Sequence, residues 1–88
     1  MYTQTYEATG HGNFKVTRYG FPVNRNSIVL ASATEMSLQD GALRPIVGSA
    51  PVQVACVAPQ DNGNVDVMME IGWDIDINYK LCLVVIQS

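Results

Sequence analysis

Residues 65–85 read VDVMMEIGWDIDINYKLCLVV, and every odd position among them is apolar or aromatic. The set is Val65, Val67, Met69, Ile71, Trp73, Ile75, Ile77, Tyr79, Leu81, Leu83 and Val85. Alternation with a period of two puts these side chains on one face of an extended chain, the mark of strands with one buried side. A single strand of this length, rising about 3.3 Å per residue, would span roughly 70 Å, far beyond the strands of small domains. The chain must therefore turn or bend inside the stretch without changing which parity points inward. A two-residue hairpin loop swaps parity; a three- or five-residue loop, or a sharp crossing between two sheets, keeps it. The pattern predicts two strands, about 64–73 and 78–87, joined by the corner "DIDI".

Upstream, residues 51–73 read PVQVACVAPQDNGNVDVMMEIGW, with Asn62-Gly63 between two alternating runs. Asn-Gly favours a two-residue type I′ hairpin turn, in which both central residues take positive φ. Such a turn sets Asp61 opposite Asn64, and then Ala58 faces Val67, Cys56 faces Met69, Val54 faces Ile71 and Val52 faces Trp73. The apolar parity of both strands falls on one side, and a slip of one residue would destroy the match. The other side carries Gln53, Ala55 and Val57 opposite Gly72, Glu70 and Met68. It is half apolar, which is unusual for a face turned to water.

The final stretch, YKLCLVVIQS, is apolar on both parities: Leu81, Leu83 and Val85 on one, Cys82, Val84 and Ile86 on the other. A strand of that kind is central and covered on both sides. A two-layer domain provides one cover, and a second subunit is the expected other.

Towards the N-terminus the signals are shorter. YTQTYEAT reads as a half-exposed strand, TGHGN as a turn, and FKVTRYGF as a strand with Gly20 marking a bulge. PVNRN is a loop, SIVLASATEMSL a strand closed by the QDG turn, and RPIV a short edge strand closed by GSAP. Strands at regular spacing with turn signals between them indicate one all-β domain over residues 1–88, a small antiparallel sandwich or barrel of about six to seven short strands.

The composition bounds the partners. Hydrophobic residues make up 48% of the 88 positions and charged residues only 15%, a low charge density for a chain with so much surface relative to volume. Part of that surface is therefore expected to be covered by another copy, making the chain a homo-oligomer. A net charge of −3 and five dispersed basic residues argue against nucleic acid, which requires clustered Lys and Arg. No apolar run approaches the roughly 20 residues that span a bilayer as a helix, and the polar start MYTQTYEATGHG does not resemble a secretion signal. The expectation is a small cytoplasmic protein with no membrane partner. Cys56 and Cys82 match no metal or redox spacing and are expected to be buried, reduced thiols, with a disulfide between them as the alternative.

Chemistry is sparse. His11, the single histidine, sits between glycines in a turn, and no spacing supplies it with a partner. Asp74, Asp76 and Asn78 have the oxygen-ligand spacing that opens a calcium loop, but Tyr79 and Val85 stand where that loop needs glycine and glutamate. Solvent-facing carboxylates on an alternating strand explain the same residues, and no cofactor or metal is expected. Among the aromatic side chains, Trp73 and Tyr79 share the core parity, whereas Tyr19 and Phe21, beside the loop that holds Arg25, are the better ligand-facing group.

Three functions follow from these residues. The leading one is a non-enzymatic homo-oligomeric β-domain serving in assembly or binding, with Val57, Met68, Cys82, Val84 and Ile86 at the interface. The second is a small-molecule or carbohydrate-binding module using Tyr19, Phe21 and Arg25. The third is a small enzyme whose site lies at a subunit interface, built from His11 and the Asp74–Asp76 corner.

Overall fold

A computed structural model describes residues 2–87 as seven strands in two antiparallel sheets, with no helix among the described residues. The strands are β1 (Tyr2–Gly10), β2 (Gly12–Arg18), β3 (Ile28–Gln39), β4 (Ala42–Ile46), β5 (Val52–Pro59), β6 (Val65–Ile71) and β7 (Ile77–Gln87). One sheet has the order β1-β7-β3-β4 and the other β2-β6-β5. The described chain measures 39 × 25 × 17 Å, and its shortest dimension suits two stacked layers about 10 Å apart. This is the expected all-β fold, arranged as a sandwich.

Residues 65–85 supply the middle of both layers. β6 runs between β2 and β5, β7 runs between β1 and β3, and the odd side chains of both point inward. Val65, Val67, Met69, Ile71, Tyr79, Leu81, Leu83 and Val85 form the buried cluster together with Phe21. The parity survives because the chain crosses from one sheet to the other between Ile71 and Ile77.

β1 and β2 cross the same way, so the antiparallel pairs β1–β7 and β2–β6 form one long ribbon folded over the core. At the fold, Gly10 pairs with Ile77 and Gly12 with Ile71. The inner path therefore needs only His11, while the outer path takes residues 72–76. On that longer outer arc the parity rule lapses. Trp73 is 41% exposed and Ile75 is 63% exposed, so both are corrected from the core side to the surface.

The β5–β6 hairpin is correctly placed, but its register differs from the expected one. Gln60 N donates to Asn64 O (2.8 Å) and Gly63 N donates to Gln60 O (3.2 Å), enclosing a three-residue loop, Asp61-Asn62-Gly63. Gly63 takes φ +85°, but Asn62 does not join it at positive φ. Instead, the Asn62 side-chain oxygen accepts a bond from Asn64 N (3.1 Å), a local turn that competes with type I′ geometry. Val57 consequently pairs with Val67 and Cys56 with Met68.

A bulge at Ala55 then shifts the pairing so that Val54 meets Met69 and Val52 meets Ile71. The extra residue lets Val52, Val54 and Val57 all pack on the core although their parities differ. The two-residue turn with positive φ at both central positions occurs elsewhere, at Asp40-Gly41 between β3 and β4. Gly20 is not a bulge within a strand; it lies in the loop after β2 ends at Arg18.

Candidate functional site

The aromatic pair expected to face a ligand is split by the fold. Tyr19 is 71% exposed, but Phe21 is only 4% exposed and belongs to the core. Its ring meets Tyr2 edge-to-face with centroids 5.4 Å apart, and its backbone N–H donates to Gly63 O at 3.0 Å. Burial follows because Phe21 closes the end of the sandwich beside the β5–β6 turn. Arg25 is engaged as well: its backbone N and its Nε each donate to an Asp61 carboxylate oxygen at 2.9 Å. That fork holds the Asp61 carboxyl below its ordinary pKa, through the Arg25 side chain first and its backbone second. Tyr19 thus stands without its expected partners.

The acidic corner acquires a partner of a different kind. His11 Nδ1 donates to Asp76 Oδ1 at 2.7 Å, joining the inner and outer paths of the folded ribbon. Both groups are more than half exposed. Asp74 and Asn78 are also exposed, and no group of three or more His, Cys, Asp or Glu side chains is placed to hold a metal ion among the described residues. Sequence spacing could not reveal the His11–Asp76 pair, because it depends on two crossings meeting at one end of the sandwich.

A second polar pair sits at the open edge over β1. The Arg18 guanidinium carbon lies 4.1 Å from the centre of the Tyr6 ring, and Arg18 Nε is buried without a hydrogen-bond partner. The ring face offers the cation an electrostatic substitute for a hydrogen bond. Burial raises the pKa of Tyr6 and of Tyr79 above the ordinary phenol value, with Arg18 opposing in both cases.

The residues expected at an interface fall on three surfaces. Cys82, Val84 and Ile86 point away from the core on the outer face of the four-stranded sheet. Met68 lies on the outer face of the three-stranded sheet, beside Cys56, where Lys15 and Asp66 flank a shallow apolar depression of about 280 Å³. Val57 is corrected to the inner side, since the three-residue turn gives it the core-facing partner Val67. Both cysteines are free; Cys56 is exposed and Cys82 half-buried, so neither is the fully buried thiol expected.

The outer face of the four-stranded sheet is the broadest of these surfaces. Leu30 pairs with Val84 and Ser32 with Cys82 on one flank; Thr3 pairs with Val84 and Thr5 with Cys82 on the other. Thr5 Oγ1 donates to Cys82 Sγ at 3.7 Å. Leu30 is 55% exposed and Ile86 is 51% exposed. On this face of β1, β7 and β3 the charges are Glu7 and Lys80, which stand opposite each other in the register. Leu30 and Ile28 were not singled out by sequence, although their even parity within SIVLASATEMSL is the same signal that marks Val84 and Ile86. No protein-family model matches this chain, and no characterised protein or solved structure matches it.

Proposed function

We propose that the chain is a non-enzymatic β-domain that associates with copies of itself and serves in assembly, through the outer face of the four-stranded sheet. The observation that carries this reading is the run Ile28, Leu30, Val84 and Ile86 on the outer side of strands β3 and β7, where the charges of β1, β7 and β3 form one opposed pair. The whole chain has a net charge of −3, which would make two copies repel on approach. This face escapes that penalty because Glu7 and Lys80 balance. A twofold axis through it would set apolar rows of one copy against those of the next, a self-complementary contact. Met68 and Cys56 form a smaller patch whose charged rim makes it the weaker contact.

Sedimentation velocity from micromolar to millimolar concentration tests the reading. The expected result is a concentration-dependent oligomer that Leu30→Lys shifts to monomer while Met68→Lys does not. A wild-type chain that remains monomeric throughout overturns the proposal. Dissociation by Met68→Lys alone would move the contact to the other sheet.

A further inference from the structure

Where β3 leaves β7 to pair with β4, a groove of about 550 Å³ opens towards the start of β5. Its walls include Ala33, Ile46, Val47 and Pro51, with Ser49 at the rim and Glu35 as the one charged lining residue. Glu35 occupies the branch point itself, paired with Tyr79 on one side and with Ile46 on the other. Its Oε1 is buried and has no hydrogen-bond partner. The 47–51 loop folds onto this carboxylate at Gly48, where an added Cβ would come within 2.5 Å of Oε1. A side chain at position 48 would therefore displace the carboxylate.

We propose that this groove binds a small aliphatic amine, with the ammonium on Glu35 and the alkyl stem along Ala33, Ile46 and Pro51. A carboxylate oxygen withdrawn from water without a donor is costly, and a cation removes that cost most completely. A neutral hydroxyl would leave the charge unbalanced. A hard metal ion needs a shell of several oxygens, whereas one carboxylate lines this groove. A guanidinium prefers two parallel acceptors, whereas a compact ammonium suits a single unpaired oxygen beside an apolar wall. The volume lies within the range of small-molecule pockets. In the sequence, the signal for this site is a carboxylate at the inward parity of Ala31 and Ala33, where an apolar side chain ordinarily faces the core.

Titration of the uniformly labelled full chain with butylammonium chloride, followed by amide chemical shifts, tests the site. The expected result is saturable shifts confined to residues near 33–35 and 46–52, in the millimolar range or tighter. Glu35→Gln should weaken binding by at least about tenfold while leaving the remaining spectrum intact. Gly48→Ala, which keeps the carboxylate but moves it, should weaken binding as well. Butanol at equal concentration should shift these amides far less, and potassium chloride should not shift them. Absence of saturable shifts, equal binding by Glu35→Gln, or equal binding of butanol each overturns the proposal.

Discussion

His11 Nδ1 and Asp76 Oδ1 meet at 2.7 Å, although the residues are far apart in the chain and lie in separate crossings between the sheets. The pair closes the one end of the sandwich where the inner path is a single residue and the outer path is five, residues 72–76. Both groups remain open to solvent, so their attraction is screened and contributes little. Asp76→Ala should therefore change unfolding stability by no more than about 1 kcal/mol in urea denaturation. A larger loss would mean that the pair sets the angle of the crossing rather than decorating it.

Gly63 and Gly41 both take positive φ, at 85° and 78°, but only Gly63 is crowded. A Cβ at Gly63 would lie 3.0 Å from the carbonyl oxygen of Phe21, whereas one at Gly41 would meet nothing within 4 Å. Gly41→Ala should cost about 1–2 kcal/mol, the backbone strain alone. Gly63→Ala should cost more, because it also disturbs the bond from Phe21 N to Gly63 O. Equal losses in thermal or chemical unfolding would show that the Phe21 contact relaxes freely.

Leu83 and Ile86 belong to the same strand and have opposite duties. Leu83 is completely buried, and Ile86 is 51% exposed. Leu83→Ala should lower stability by about 2–5 kcal/mol, the lost burial plus the cavity left behind. Ile86→Ala should leave the stability of the isolated chain within about 0.5 kcal/mol of wild type, since it removes no core contact. Comparable losses at both positions, measured at a concentration where the chain is monomeric, would contradict the assigned faces.

Burial of the phenols links stability to alkaline pH. Tyr79 ionises less readily in the folded chain than in the unfolded one, because burial disfavours its phenolate. Its contribution is complete below the unfolded pKa of about 10 and is lost as pH rises through the higher folded value. Stability should decline above about pH 10, and Tyr79→Phe should flatten that decline. Asp61 has the opposite sign: its lowered pKa supplies stability that disappears as pH falls through the folded value. Chemical denaturation across pH checks both limbs, and an alkaline limb unchanged by Tyr79→Phe would exclude the phenol as its source.

Much of the fold was legible because alternation reports burial directly. Val65 to Ile71 and Tyr79 to Val85 have the inward parity that their spacing implied, and β7 lies in the middle of its sheet as its two-sided apolarity required. The site was far less legible. Phe21 resembled a ligand-facing ring until the end of the sandwich closed over it. Glu35 has inward parity in the sequence, but only the divided pairing of β3 between β7 and β4 leaves its carboxylate without a donor.

Local chain chemistry by itself determined most of the strands, the inward faces of β6 and β7 and the positions of the hairpin turns, because φ preference and side-chain period act within a few residues. The tertiary structure alone decided the β5–β6 register, the exposure of Trp73 and Ile75, the meeting of His11 with Asp76 and the isolation of the Glu35 carboxylate. Each of these depends on a turn, a bulge, a crossing or a divided pairing that mismatches one strand with its partner. That mismatch is a relation between distant segments, so it has no local period from which to be read.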